Sequence, residues 1–121
     1  MSGNSFQQRV WQWVVACFPP HSHADARERT HRFLEEAVEL AQANGCSRQD
    51  AQDLVDYVYS RAPGDRAQET GGVLVTLAAL CNANGVDMQE AGERELDRNW
   101  ARIDRIRAKQ AAKPHGSALP Q

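Results

Sequence analysis

Residues 71–81, "GGVLVTLAALC", decide the fold class of this 121-residue chain. The β-branched "VLVT" suits a buried strand. Its continuation through "LAALC" and the turn "NANGVD" (residues 82–87) makes a strand too long, and the length favours a helix. Apolar residues surround that helix on every side, which is the pattern of a helix at the centre of a fold. Working outward, four more helical segments can be read. Ser5 to Phe18 carries Val10, Trp11, Val14, Val15 and Phe18 at helical spacing. The consecutive prolines of "FPPHSH" (residues 18–23) stop it. Ala24 to Ala43 ends at Asn44-Gly45. Ser47, a cap with Asp50 three residues on, starts a helix with Leu54, Val55, Val58 and Tyr59 on its apolar face. "APGD" (residues 62–65) ends that helix, and the central one runs from about Asp65 to Asn82. Asp87 caps a last helix from Met88 to Gln110, striped by Leu96, Trp100, Ile103 and Ile106. The expectation is an all-α bundle of about five helices built from antiparallel hairpins. One domain over residues 1–113 is expected, and an extended or loose tail, "PHGSALPQ", over 114–121.

Composition narrows the function classes. Charged residues are 25% and apolar residues 41%, an average globular balance. A net charge of -2 gives no general attraction to nucleic acid or anionic lipid. "VWQWVVACF" (residues 10–18) is apolar but too short to span a bilayer, so no membrane association is expected. Cys17, Cys46 and Cys81 lack CxxC spacing and are odd in number, which points to a reduced, cytoplasmic setting and to Cys17 and Cys81 as small core residues.

Chemistry concentrates in "HRFLEEAVELAQANG" (residues 31–45). Glu35, Glu36 and Glu39 crowd one turn, where like charges repel. On a helical wheel Phe33, Leu34, Ala37, Val38, Leu40 and Ala41 form the apolar arc. Glu36 lies at its edge with Glu39 beside it, and Glu35 points further toward solvent. Two anions at a buried edge raise each other's pKa unless a cation joins them, and a hard divalent cation with oxygen ligands removes the conflict. Glu69, in line with Val73, Thr76 and Leu80 on the central helix, is expected to aim inward as a third acid. The competing reading is a solvated acidic face paired with Arg29 or Arg32.

"EEAVEL" (35–40), "QETGGVLVTLAALCNANGVDM" (68–88) and "ERELDRNW" (93–100) together resemble the MazG-like all-α nucleoside triphosphate pyrophosphohydrolases. The phage-type members are the nearest in pattern, including "IRAKQAAKP" (106–114) and the ending "LPQ". The resemblance runs from about Phe33 to Gln121. It implies a MazG-like helical bundle that forms a homodimer or homotetramer. It also implies a Mg²⁺ cofactor, with Mn²⁺ as a substitute, and cleavage of an NTP or dNTP to a nucleoside monophosphate and pyrophosphate. In the ExxE…ExxD pattern of that family, Glu36 and Glu39 match the first half and Glu69 the start of the second. Gly72 stands where the family has aspartate, leaving one acid fewer. Metal ligation is therefore expected from Glu36, Glu39 and Glu69, and proton abstraction from Glu35 or Glu36. Arg98, Asn99 and Arg102 on the last helix are the expected phosphate-binding residues. The alternative is a MazG-like module that senses a nucleotide or binds a protein with weak or no catalysis, for want of an acid at Gly72. Of the tryptophans, Trp100 is expected in the core. Trp13 lies off the first helix's stripe and is expected to meet a ligand or another subunit.

Overall fold

A computed structural model describes residues 4–112. Among these are seven helices and no strand: α1 (Phe6–Cys17), α2 (Pro20–His23), α3 (Ala26–Ala43), α4 (Arg48–Tyr59), α5 (Arg66–Asn84), α6 (Met88–Ala101) and α7 (Ile103–Ala111). The protein is all-α. The tail expected over 114–121 lies outside the described residues. Among those described, no helix is long and apolar enough to cross a membrane.

Local chemistry places most helix ends. Ser5 and Gln8 form a reciprocal capping box at the start of α1, with bonds of 3.1 and 2.8 Å. The side chains of Ser47, Asp65 and Asp87 accept from the backbone N–H three residues on, at 3.0, 2.9 and 2.8 Å. Gly45 and Gly85 end α3 and α5 in the left-handed region, at φ 84° and 67°. Two boundaries differ from expectation. After extended Pro19, Pro20 occupies the first turn of a short helix, a position where its missing N–H costs nothing, so "PHSH" is helical. The last expected helix is interrupted at Arg102, whose guanidinium folds back on the Arg98 carbonyl and on Asn99 Oδ1.

The chain divides into two compact units. One comprises Met1–Glu39 and Gly92–Gln121, the other Leu40–Ala91. In the first, Val14, Cys17 and Phe18 are buried, with Val10, Trp13, Ile103 and Ile106 packed on them. Leu96 is buried as well, whereas Trp100, expected in the core, is 42% exposed. Arg9 clasps Glu93 through both guanidinium nitrogens, at 2.6 and 2.5 Å, joining α1 to α6. Arg107 donates to the Ala16 carbonyl, joining α7 to the end of α1.

Two roles on α1 are exchanged relative to expectation. Trp13 packs edge-on against Phe18, with ring centroids 5.3 Å apart, while Trp11 and Val15 stay about half exposed. Phe18 closes the core from beyond the end of α1. The inward face is therefore centred between Val10, Trp13, Val14 and Cys17, not on the Trp11–Val15 side.

In the second unit, no residue from Leu40 to Ala91 is buried. This corrects the expectation for α5. Val73, Leu74 and Val75 are 40%, 55% and 70% exposed, Thr76 is exposed, and Cys81, expected in the core, is only half-buried. The apolar arc read on α3 is equally open, with Phe33, Leu34 and Val38 about half exposed. An apolar helix gains its stability from being covered on several sides, and the described residues leave these side chains open.

Candidate functional site

The face of α3 that carries chemistry repeats as Arg29, Arg32, Glu36 and Glu39. Spacings of three and four residues keep one stripe along a helix, here two cations followed by two anions. Glu35, Glu36 and Glu39 are all exposed. The Glu36 carboxyl nonetheless sits above its ordinary pKa. Local crowding of its solvation is the largest cause, followed by the charges of Glu39, Glu35 and Glu95. Glu95 comes from α6 of the same unit and was not among the acids expected here. Its side chain is ion-paired with Arg98 at 3.3 Å and with Arg102 at 3.7 Å, and Arg102 donates to Asn99 Oδ1 at 3.2 Å. The three residues expected to bind phosphate thus form one network around an acid whose charge reaches Glu36.

Glu69 stands in the first turn of α5, in the other unit, and is exposed where it was expected to be buried. Its carboxylate folds back over Gly64, so closely that a Cβ there would run into it. A Cβ added at Gly71 or Gly72 would meet nothing within 4 Å. Among the described residues, no group of three or more His, Cys, Asp or Glu side chains is gathered closely enough to hold a metal ion.

A second polar cluster was missed. Glu28 is 1% exposed, Ser22 0% and Gln110 7%. Glu28 accepts from the Ser22 hydroxyl and the Gln110 amide, and its backbone N–H is capped by Asp25 at 3.1 Å. Arg29 lies 3.6 Å and Arg32 3.8 Å from the Glu28 carboxylate, and both guanidinium groups stack on the Phe18 ring. Arg32 also donates to the Gln110 side-chain oxygen. Burial pushes the Glu28 pKa up, but the bonds from Ser22 and Gln110, then the charges of Arg29 and Arg32, outweigh it and hold the group below its ordinary value. Arg29 and Arg32 are therefore partners of Glu28, not of the acidic turn. In the sequence, Glu28 looks like one more charge in "DARERTHRF" (residues 25–33). The one local signal was its place three residues after Asp25 at the start of α3, which marks a helix end but says nothing of burial.

His23 Nε2 lies 2.6 Å from the Phe18 carbonyl and so carries the proton of that bond. The three cysteines are free, and Cys17, the buried one, has its thiol pKa raised mainly by burial. No protein-family model, curated protein or solved structure matches this chain.

Proposed function

We propose that this protein is a Mg²⁺-dependent nucleotide pyrophosphohydrolase of the MazG-like kind. It takes an NTP or dNTP to the nucleoside monophosphate and pyrophosphate, and works as a homodimer or homotetramer. The observation that carries the reading is the raised carboxyl of Glu36, crowded by Glu39, Glu35 and Glu95 on a solvent-open face. Anions held together at a cost in self-repulsion are a natural place for a hard cation. Glu36 and Glu39 supply oxygen donors one turn apart, and Mg²⁺ keeps several waters, so few protein ligands suit it. When bound, the ion would neutralise phosphate charge and make an attacking water more acidic. Glu35, beside these ligands and exposed, takes the water's proton. Arg98 and Arg102, paired with Glu95, exchange that carboxylate for substrate phosphates, and Asn99, which accepts from Arg102, joins them. Glu69 is the ligand assigned by likeness alone.

Support for self-association comes from α5. From Gly71 to Asn84 it has no charged residue and no buried one. It exposes Val73, Leu74 and Val75, and α4 exposes Leu54, Val55, Tyr57 and Val58. A second copy, packed in an isologous interface, would cover this apolar surface.

A second reading is a nucleotide-responsive module without turnover. It is favoured by Gly72, where an acid is absent although the space for one is open.

The test is a Mg²⁺ titration with and without a non-hydrolysable nucleotide, run beside pyrophosphate release from a nucleotide panel. Metal-dependent product, abolished by Glu36→Gln and by Glu69→Gln, is expected. Nucleotide stabilisation without product supports the second reading. No metal-dependent product and no nucleotide response overturns both.

A further inference from the structure

Outside the acidic face, the first unit contains a groove of about 610 Å³ between α1 and the α2–α3 corner. This is within the ordinary size range of small-molecule sites. Three features give it a chemical character. The first is a flat aromatic wall. Trp11 is 50% exposed, and its indole meets the His23 imidazole edge-on with centroids 5.7 Å apart. Val14 continues the apolar surface below it. The second is the sign of its charge. Among the described residues, no acid lines the groove and Arg29 is the one guanidinium in its lining. The third is that this cation shares the Glu28 carboxylate with Arg32, at 3.6 and 3.8 Å. Burial and the adjacent Arg32 lower the Arg29 pKa against the attraction of Glu28 and Asp25, so a further negative charge at this guanidinium is favourable.

We infer that the groove of Trp11, His23 and Arg29 binds a planar aromatic ring carrying a phosphate, the ring lying on Trp11 and the anion on Arg29. Gln7, also in the lining, offers a side-chain amide to polar edges of the ring, and Gln8, whose Oε1 accepts from the Ser5 N–H, offers its NH₂. The position fits a nucleotide. Arg29 and Glu36 are seven residues apart on α3, so the groove lies on the same helix face as the acids, about 10 Å along the axis. Its alignment with the acids rests on the hydrolase reading; binding in the groove does not. Tryptophan at exposed helical positions is otherwise a disfavoured choice, and Trp13, not Trp11, serves the core.

The experiment is calorimetry of the full chain with adenosine monophosphate and guanosine monophosphate in EDTA, which removes the metal site from the measurement. Adenosine alone and inorganic phosphate alone are the control ligands. Saturable binding of a monophosphate is expected, at least tenfold tighter than either fragment. Trp11→Ala should weaken it roughly five- to hundredfold, the range for losing a base–aromatic stack. Gln7→Glu, an exposed substitution that adds an anion to the lining and leaves the core intact, should weaken it by a similar factor. Glu36→Gln should leave monophosphate binding in EDTA within twofold while ending, in the separate Mg²⁺ assay, pyrophosphate release from the nucleotide panel. Absence of saturable binding by the wild-type chain overturns the inference, as does binding that Trp11→Ala and Gln7→Glu leave unchanged. Monophosphate binding together with no pyrophosphate release from the nucleotide panel in Mg²⁺ refutes the enzyme reading and leaves the groove standing.

Discussion

Glu28→Gln isolates the charge of the buried cluster that fastens α7 to the start of α3. The amide keeps the carboxylate's shape. Its oxygen still accepts from Gln110, and its NH₂ can donate to a rotated Ser22 hydroxyl, so both hydrogen bonds survive. What is lost is the one buried anion between Arg29 and Arg32, whose side chains are 26% and 23% exposed. At 1% exposure Glu28 itself receives little solvent screening. Removing one partner from a buried ion pair costs about 3–5 kcal/mol, and retention of the hydrogen bonds returns part of that, so a loss of about 2–4 kcal/mol is expected at pH 7. The assay is urea unfolding followed by far-ultraviolet circular dichroism, at matched protein concentrations because the proposed self-association would contribute to apparent stability. The pH dependence has a definite sign. The folded-state pKa of Glu28 is depressed, so its contribution is complete above the unfolded value of 4.5 and is lost as pH falls through the lower folded value. The gap between wild type and variant should therefore close in acid. A loss below about 0.5 kcal/mol at pH 7, the scale of an ordinary surface substitution, would refute the reasoning, as would a gap that persists at low pH.

Three other outcomes are expected. Val75→Glu or Leu74→Glu, at positions 70% and 55% exposed, should shift the protein to a smaller species in light scattering, because a carboxylate cannot be buried unpaired in an apolar interface. Gly64→Ala should displace the Glu69 carboxylate and weaken Mg²⁺ binding several-fold, while urea stability changes by less than about 0.5 kcal/mol since only the end of a flexible side chain must move. Mg²⁺ stabilisation of the wild type in thermal unfolding should fade as pH falls, beginning above the ordinary carboxyl value of 4.5, because Glu36 takes up its proton early. Glu36→Gln should lose that metal response without destabilising the metal-free protein at pH 7, where it removes a repelled anion.

Most helix ends of this protein were legible in the sequence because their determinants are short-range, whereas the short helix α2 and the break at Arg102 were not. A cap such as Ser5, Ser47, Asp65 or Asp87 acts on an N–H three residues away, and Gly45 and Gly85 end helices through their own backbone freedom. Helix over strand at residues 71–81 followed from length. The acidic stripe of α3 was readable for the same reason, since Glu36 and Glu39 share a face by helical geometry alone. Burial is a different quantity, set by everything that packs around a side chain from distant parts of the chain. Only the tertiary structure decided that Trp13, not Trp11, enters the core. It also decided that Glu28 is enclosed by Ser22 and Gln110, and that Glu95 brings its charge to Glu36. The helix whose composition most strongly signals burial, α5, has no buried residue in this chain. Composition states how much apolar surface must be covered, and only packing determines which surface covers it.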